Sequence, residues 1–104
     1  MSSKAKNAFG LTERDMKTLH DILIKYHEVK TVFIFGSRAK ETYKQGSDID
    51  LAIMNKGVTD SIIRKISSDF EDSSLPYTVD LINYHTIKHQ DLKSHIDRVG
   101  VLLF

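Results

Sequence analysis

Cysteine is absent from the 104 residues, and proline occurs once, at Pro76. Without cysteine there is no disulfide framework, no cysteine-based zinc site and no thiol nucleophile. The cytoplasm is the expected compartment, since small secreted domains are the ones that depend on disulfides. Long hydrophobic runs are missing too. Nowhere do about 18 apolar residues follow one another, as a membrane-spanning helix requires. The amino-terminal MSSKAKNAFG has no apolar core of the kind a signal peptide carries. Charge of one sign is also lacking, because fifteen Lys and Arg stand against fourteen Asp and Glu, for a formal charge of +1. A broadly basic, sequence-blind nucleic-acid surface is therefore not expected.

What remains is ordinary globular composition, with 40% apolar and 28% charged residues. A chain of this size buries roughly 65% of its unfolded surface, enough for one core. It is too short to hold a separate substrate domain. Residues 1–10 read as a flexible tail and 11–104 as one domain.

Hydrophobic periodicity divides that domain. Thr12 and Asp15 form a capping-box pattern, with Asp in place of the usual Glu or Gln. Met16, Leu19, Leu23 and Tyr26 then make an apolar stripe at helical spacing. Thr31 to Phe35 is β-branched and aromatic, a buried strand that Gly36 ends. Ser37 to Gly46 is polar, a loop or a short helix and turn. Asp48 to Met54 reads as a second strand. Thr59 or Asp60 can cap a helix carrying Ile62, Ile63, Ile66 and Phe70. Tyr77 to Ile82 is a third strand, with Asn83 or Thr86 as the next cap. Leu92, Ile96 and Val99 mark a last helix, and His89 on the same face is expected to be partly buried. The final Val101 to Phe104 is apolar, either a small strand completing the core or part of an interface. The order αβαβαβα implies an α/β (α+β) fold, a small mixed sheet of three or more strands, in two layers. The link from Gly36 to Asp48 is too short for a parallel crossover, so the first two strands should be antiparallel.

Chemistry concentrates in Gly36-Ser37, ten residues, then Asp48-x-Asp50. Residues two apart on a strand share a face, with Cα atoms about 6.5 Å apart. Two carboxylates so placed repel unless a cation lies between them, and Mg²⁺ typically takes one or two carboxylates plus substrate phosphates. Gly36 permits a sharp turn or a close backbone approach. Ser37 offers a hydroxyl and an N–H where a phosphate could sit. Arg38 and Lys40 bring positive charge, toward a ligand or toward solvent. Asp80 is the one charge in an apolar strand. If that strand neighbours the second, about 4.8 Å away, Asp80 joins the pair. It could then help hold one or two metal ions, or accept a proton from an attacking hydroxyl. By chance this Gly-Ser and Asp-x-Asp spacing arises in roughly one chain per thousand at typical ~5–7% residue frequencies, so coincidence is a poor account of it.

The run GSRAKETYKQGSDIDLAIM resembles the signature of the DNA polymerase β-like nucleotidyltransferase superfamily. The short length and the later VDLI strand resemble its minimal nucleotidyltransferase branch, over about residue 11 to the end. The resemblance implies that Gly36, Ser37 and Arg38 bind nucleotide phosphates. Asp48, Asp50 and Asp80 are the implied Mg²⁺ ligands and catalytic carboxylates. It further implies transfer of AMP from ATP to an acceptor hydroxyl, a tyrosine of a small helical HEPN toxin, so that the chain acts as an antitoxin. A module that neutralises such a partner by binding alone is the alternative. One departure stands out: many relatives carry Gly where this chain has Glu41. Tyr43 could stack on a base or be a plain loop aromatic. His85 and His89 have metal-compatible spacing, but no further strong ligand accompanies them.

Overall fold

The computed structural model describes residues 7–44 and 46–104. The expected tail over 1–10 falls outside the described residues for positions 1–6. From Asn7 onward the chain is tied down. The Asn7 side-chain oxygen accepts from the Phe9 and Leu11 amides at 2.9 and 3.1 Å.

Helix α1 (Glu13–Leu23) starts at the capping box read from the sequence. Thr12 Oγ1 accepts from the Asp15 amide, and Asp15 Oδ2 from the Thr12 amide, both at 3.0 Å. Asp serves as well as Glu because its carboxylate still reaches back three residues. Strands β1 (Val32–Phe35) and β2 (Ile49–Ile53) pair antiparallel, while β2 and β3 (Val79–Asn83) pair parallel. Helix α3 (Asp60–Glu71), capped by Thr59, supplies the crossover that a parallel pair needs. Asn83 caps a short 3₁₀ turn at Tyr84–Thr86 before α4 (Gln90–Val99). The chain end adds β4 (Val101–Leu102), antiparallel to β1, for a sheet order of β3-β2-β1-β4. Just beyond β4, Leu103 is buried, while Leu102 within it faces out.

Helices cover both faces of the sheet, so the architecture has three layers where two were expected. The reason lies in the strands. VFIF and IDLAI carry apolar residues at both alternating sets of positions, and each set demands a cover. Val32, Ile34, Leu51 and Leu81 pack with α1 and α3. Phe33, Phe35, Ala52 and Ile82 pack with Ile96 of α4. Tyr26 donates to Asp69, which Lys25 also approaches at 3.1 Å, tying the end of α1 to α3. His89 is exposed, contrary to expectation, because α4 begins only at Gln90 and leaves it on the entering turn.

Candidate active site

Three neighbouring strands bring the motif residues to one end of the sheet. Phe35 pairs with Asp50, and Asp50 with Asp80, so one row crosses from the end of β1 to the β3 edge. Asp48 lies two residues before Asp50, just ahead of β2, near enough for its charge to act on Asp50. Asp48 and Asp80 are exposed and Asp50 is half-buried. Burial, then the charge of Asp80, then that of Asp48 push the Asp50 carboxyl up to about 6. The three carboxylates are thus close enough to act on one another. No basic side chain among the described residues is paired with them, and such a cluster of negative charge suits a hard divalent cation. Among the described residues no group of three His, Asp or Glu side chains forms a ready-made metal cage. That is compatible with Mg²⁺, which keeps waters and substrate oxygens in its shell and needs few protein ligands.

Gly36 follows β1 at φ 74° and opens the one-turn helix α2 (Gly36–Ala39). A Cβ on it would fall on Asp50 Oδ2. The carboxylate therefore rests against the Gly36 backbone, and glycine is required twice over, for its dihedral and for the space. Ser37 follows at once, half-buried, and its hydroxyl donates no hydrogen bond among the described residues. Gly36, Ser37, Asp48, Asp50 and Asp80 are all brought to this end of the sheet.

Arg38 is not available to a phosphate. It is only 2% exposed. Nε and Nη2 donate to the Ser47 carbonyl at 3.1 and 2.8 Å, and Nη1 donates to the carbonyls of Phe9 at 2.8 Å and Gly10 at 3.4 Å. Its guanidinium lies 5.2 Å from the Tyr43 ring centre and 4.4 Å from that of Tyr77. The phosphate contact expected of Arg38 is corrected accordingly: α2 is one turn long, and its third residue points into the protein. Tyr43 packs on Gly10 and Arg38. Sequence reasoning missed the parts played by Phe9, Gly10 and Tyr77, because these contacts join segments 28 or more residues apart and no local pattern marks them. The His85 ring meets the Met54 carbonyl at 2.7 Å, a structural contact. The cleft lined by Phe70, Leu75, Tyr77 and Val79 belongs to the α3 side of the sheet, away from the carboxylate face.

Glu41 acquires a physical account. The Thr42 amide donates to the Ser37 carbonyl at 2.9 Å and the Glu41 amide to the Arg38 carbonyl at 3.2 Å. These two bonds are the Schellman pattern at the end of α2, with Glu41 at the left-handed position, φ 60°. Glycine is favoured there because a Cβ is strained at that dihedral. Glu41→Gly is therefore expected to stabilise the fold by about 0.5–1 kcal/mol, the relieved strain less the added unfolded-state freedom. A shift of the urea midpoint at constant slope measures it. Glu41 is exposed.

The chain matches the family described as polymerase beta, nucleotidyltransferase, over residues 17–104. It is 38% identical over 74 residues to a probable protein adenylyltransferase, MntA, of Haemophilus influenzae, an overlap of 70% of this chain and 64% of that protein. The chain thus spans just under two thirds of that relative's length. Among solved structures it resembles a toxin–antitoxin with AMP-PNP at a TM-score of 0.71 and 18% identity, covering 86% of this chain and 73% of that one. It also resembles a tri-AMPylated Shewanella oneidensis HEPN toxin in complex with MNT antitoxin, at a TM-score of 0.64 and 16% identity, covering 86% and 68%. At such identities the structural likeness establishes the fold.

Proposed function

Because the chain belongs to the polymerase beta nucleotidyltransferase family, we propose that it moves AMP from ATP to a hydroxyl of a HEPN-type toxin, a tyrosine, and so acts as that toxin's antitoxin. The observation that carries this reading is the row from Gly36 through Asp50 to Asp80, with Asp48 beside it. It sets a phosphate-sized turn on one side of a carboxylate cluster and an open sheet edge on the other. The relative's name, protein adenylyltransferase, supports AMP as the group moved. The structural neighbours, one with AMP-PNP and one with an AMPylated HEPN toxin, support the nucleotide and the partner class.

In this reading the Gly36–Ser37 turn holds the β- and γ-phosphates through the Ser37 hydroxyl and the first amides of α2. Asp48, Asp50 and Asp80 are the residues that would hold Mg²⁺, which when bound neutralises phosphate charge. The acceptor oxygen attacks the α-phosphorus while the bond to the bridging oxygen of the β-phosphate breaks, and pyrophosphate leaves. Attack and departure lie in line. With the leaving group over Gly36 and Ser37, the acceptor therefore enters from the β3 side. There Asp80, exposed at the edge strand, takes the hydroxyl proton. Most of the rate comes from positioning and charge neutralisation.

The test is incubation of the chain with its toxin partner, Mg²⁺ and ATP labelled at the α-phosphate. Label should appear on the partner and fall by about 10³-fold with Asp48→Asn, the loss of several kcal/mol of charge stabilisation. A stable complex that never becomes labelled would show that neutralisation proceeds by binding alone.

A further inference from the structure

Asp48 stands outside the sheet that orders its neighbours. Pairing with β1 reaches only as far as Asp50, and pairing with β3 begins at Ile49. The peptide after Asp48 is held by the Ile49 amide, which donates to the Thr78 carbonyl at 2.9 Å. The peptide before it, joining Ser47 to Asp48, is the one that other contacts must fix. Two local bonds help: the Ser47 amide donates to the Lys44 carbonyl at 3.0 Å, and the Lys44 amide donates to Ser47 Oγ at 2.8 Å. The third hold is Arg38, whose Nε and Nη2 both donate to the Ser47 carbonyl. That carbonyl belongs to the peptide joining Ser47 to Asp48.

We infer that Arg38 is a positioning residue of the nucleotidyl-transfer site, which fixes the Ser47–Asp48 peptide and with it the direction of the Asp48 carboxylate. It touches no nucleotide. A buried cation is costly unless its donors are met. Here the carbonyls of Ser47, Phe9 and Gly10 meet them, and the Tyr43 and Tyr77 rings flank the guanidinium. The turn at residues 7–10, the motif loop and the entry to β3 are thereby locked to a single side chain. Lysine cannot substitute, since one ammonium lacks the planar fork that reaches carbonyls on separate segments while stacking on rings. Gly10 braces the same clamp from outside. It has φ 74°, and a Cβ there would fall on the Tyr43 ring.

The inference rests on the functional reading above for the reaction, and its test separates the two. In the full-length chain, Mn²⁺ affinity is measured by electron paramagnetic resonance with AMP-PNP present. AMP-PNP affinity is measured without metal, and transfer kinetics with Mg²⁺, for wild type, Arg38→Lys and Gly10→Ala. Arg38→Lys should weaken Mn²⁺ binding and lower kcat by about 10–100-fold each, the usual effect of removing a residue that orients a ligand. Metal-free nucleotide affinity and KM for ATP should stay near wild type. Gly10→Ala should move Mn²⁺ affinity in the same direction. If Arg38→Lys fails to fold, Gly10→Ala, which keeps Arg38, decides by the same two affinities. A drop in metal-free nucleotide affinity with Mn²⁺ binding intact would make Arg38 a phosphate contact and overturn the inference. So would folded variants with both affinities unchanged. A wild type that transfers nothing, yet whose Mn²⁺ affinity falls in Arg38→Lys, sinks the functional reading alone. A wild type that binds no Mn²⁺ sinks both.

Discussion

Gly36→Ala is expected to reduce nucleotidyl transfer by at least about 10²-fold, the cost of moving a reacting group by about an ångström. The methyl group cannot be added with the site unchanged, since it falls on Asp50 Oδ2 and the backbone stands at φ 74°. Either the turn opens, which displaces Ser37, or Asp50 swings away from the row it shares with Asp80. Holding a non-glycine residue in the left-handed region adds about 1–2 kcal/mol of destabilisation. Two readouts check this: the labelled-AMP assay, and a denaturant titration in which the midpoint moves down. Activity and stability should fall together, and an active, fully stable alanine variant would contradict the seating of Asp50.

Asp50→Asn should separate the same two quantities. Transfer should fall by about 10³-fold, because the carboxylate at the centre of the cluster is gone. Stability should instead rise, and only in one pH range. The Asp50 carboxyl is held up at about 6, against an ordinary 3.8, by burial and by Asp80 and Asp48. The folded state therefore binds this proton more tightly than the unfolded chain does. Stability of the wild type must then fall as pH rises from about 4 through 6, and stay lower above that. For a half-exposed carboxylate screened by water the penalty is about 1 kcal/mol. Asparagine carries no such penalty. The variant should match wild type near pH 4 and exceed it at pH 7 to 8, read as the difference in urea midpoints. Millimolar Mg²⁺ should close part of that gap by stabilising the wild type, since a ligand that binds only the folded state raises its stability. A gap that is constant across pH would show that Asp50 is not under electrostatic strain.

Asp50 carries both predictions for one reason. Asparagine removes a charge that burial and two neighbouring carboxylates penalise, and those carboxylates stand where the proposed reaction would bind a divalent cation and phosphates. Thr12, Thr59 and the apolar stripes have no such conflict. Their local chemistry and their place in the fold agree, as expected of positions with only a structural task.

That agreement marks how far the sequence reaches. Helices and strands were legible because their signals are local: the capping pair Thr12 and Asp15, the stripe through Leu19 and Leu23, and the β-branched run before Gly36. The Gly36-Ser37 and Asp48-x-Asp50 spacing was legible too, since two carboxylates two residues apart at a strand's start are necessarily near one another. Even the antiparallel pairing of β1 and β2 follows from a link too short for a crossover. Register across strands, by contrast, depends on which faces find cover. Only the folded molecule sets Asp80 directly beside Asp50, and adds α4 as a third layer. Arg38 is the clearest case. Its neighbours in the chain look like a phosphate loop, and its charge alone suits one. Its position is decided by carbonyls at Phe9, Gly10 and Ser47 and rings at Tyr43 and Tyr77. Burying a guanidinium requires all those partners at once, and only tertiary packing assembles them.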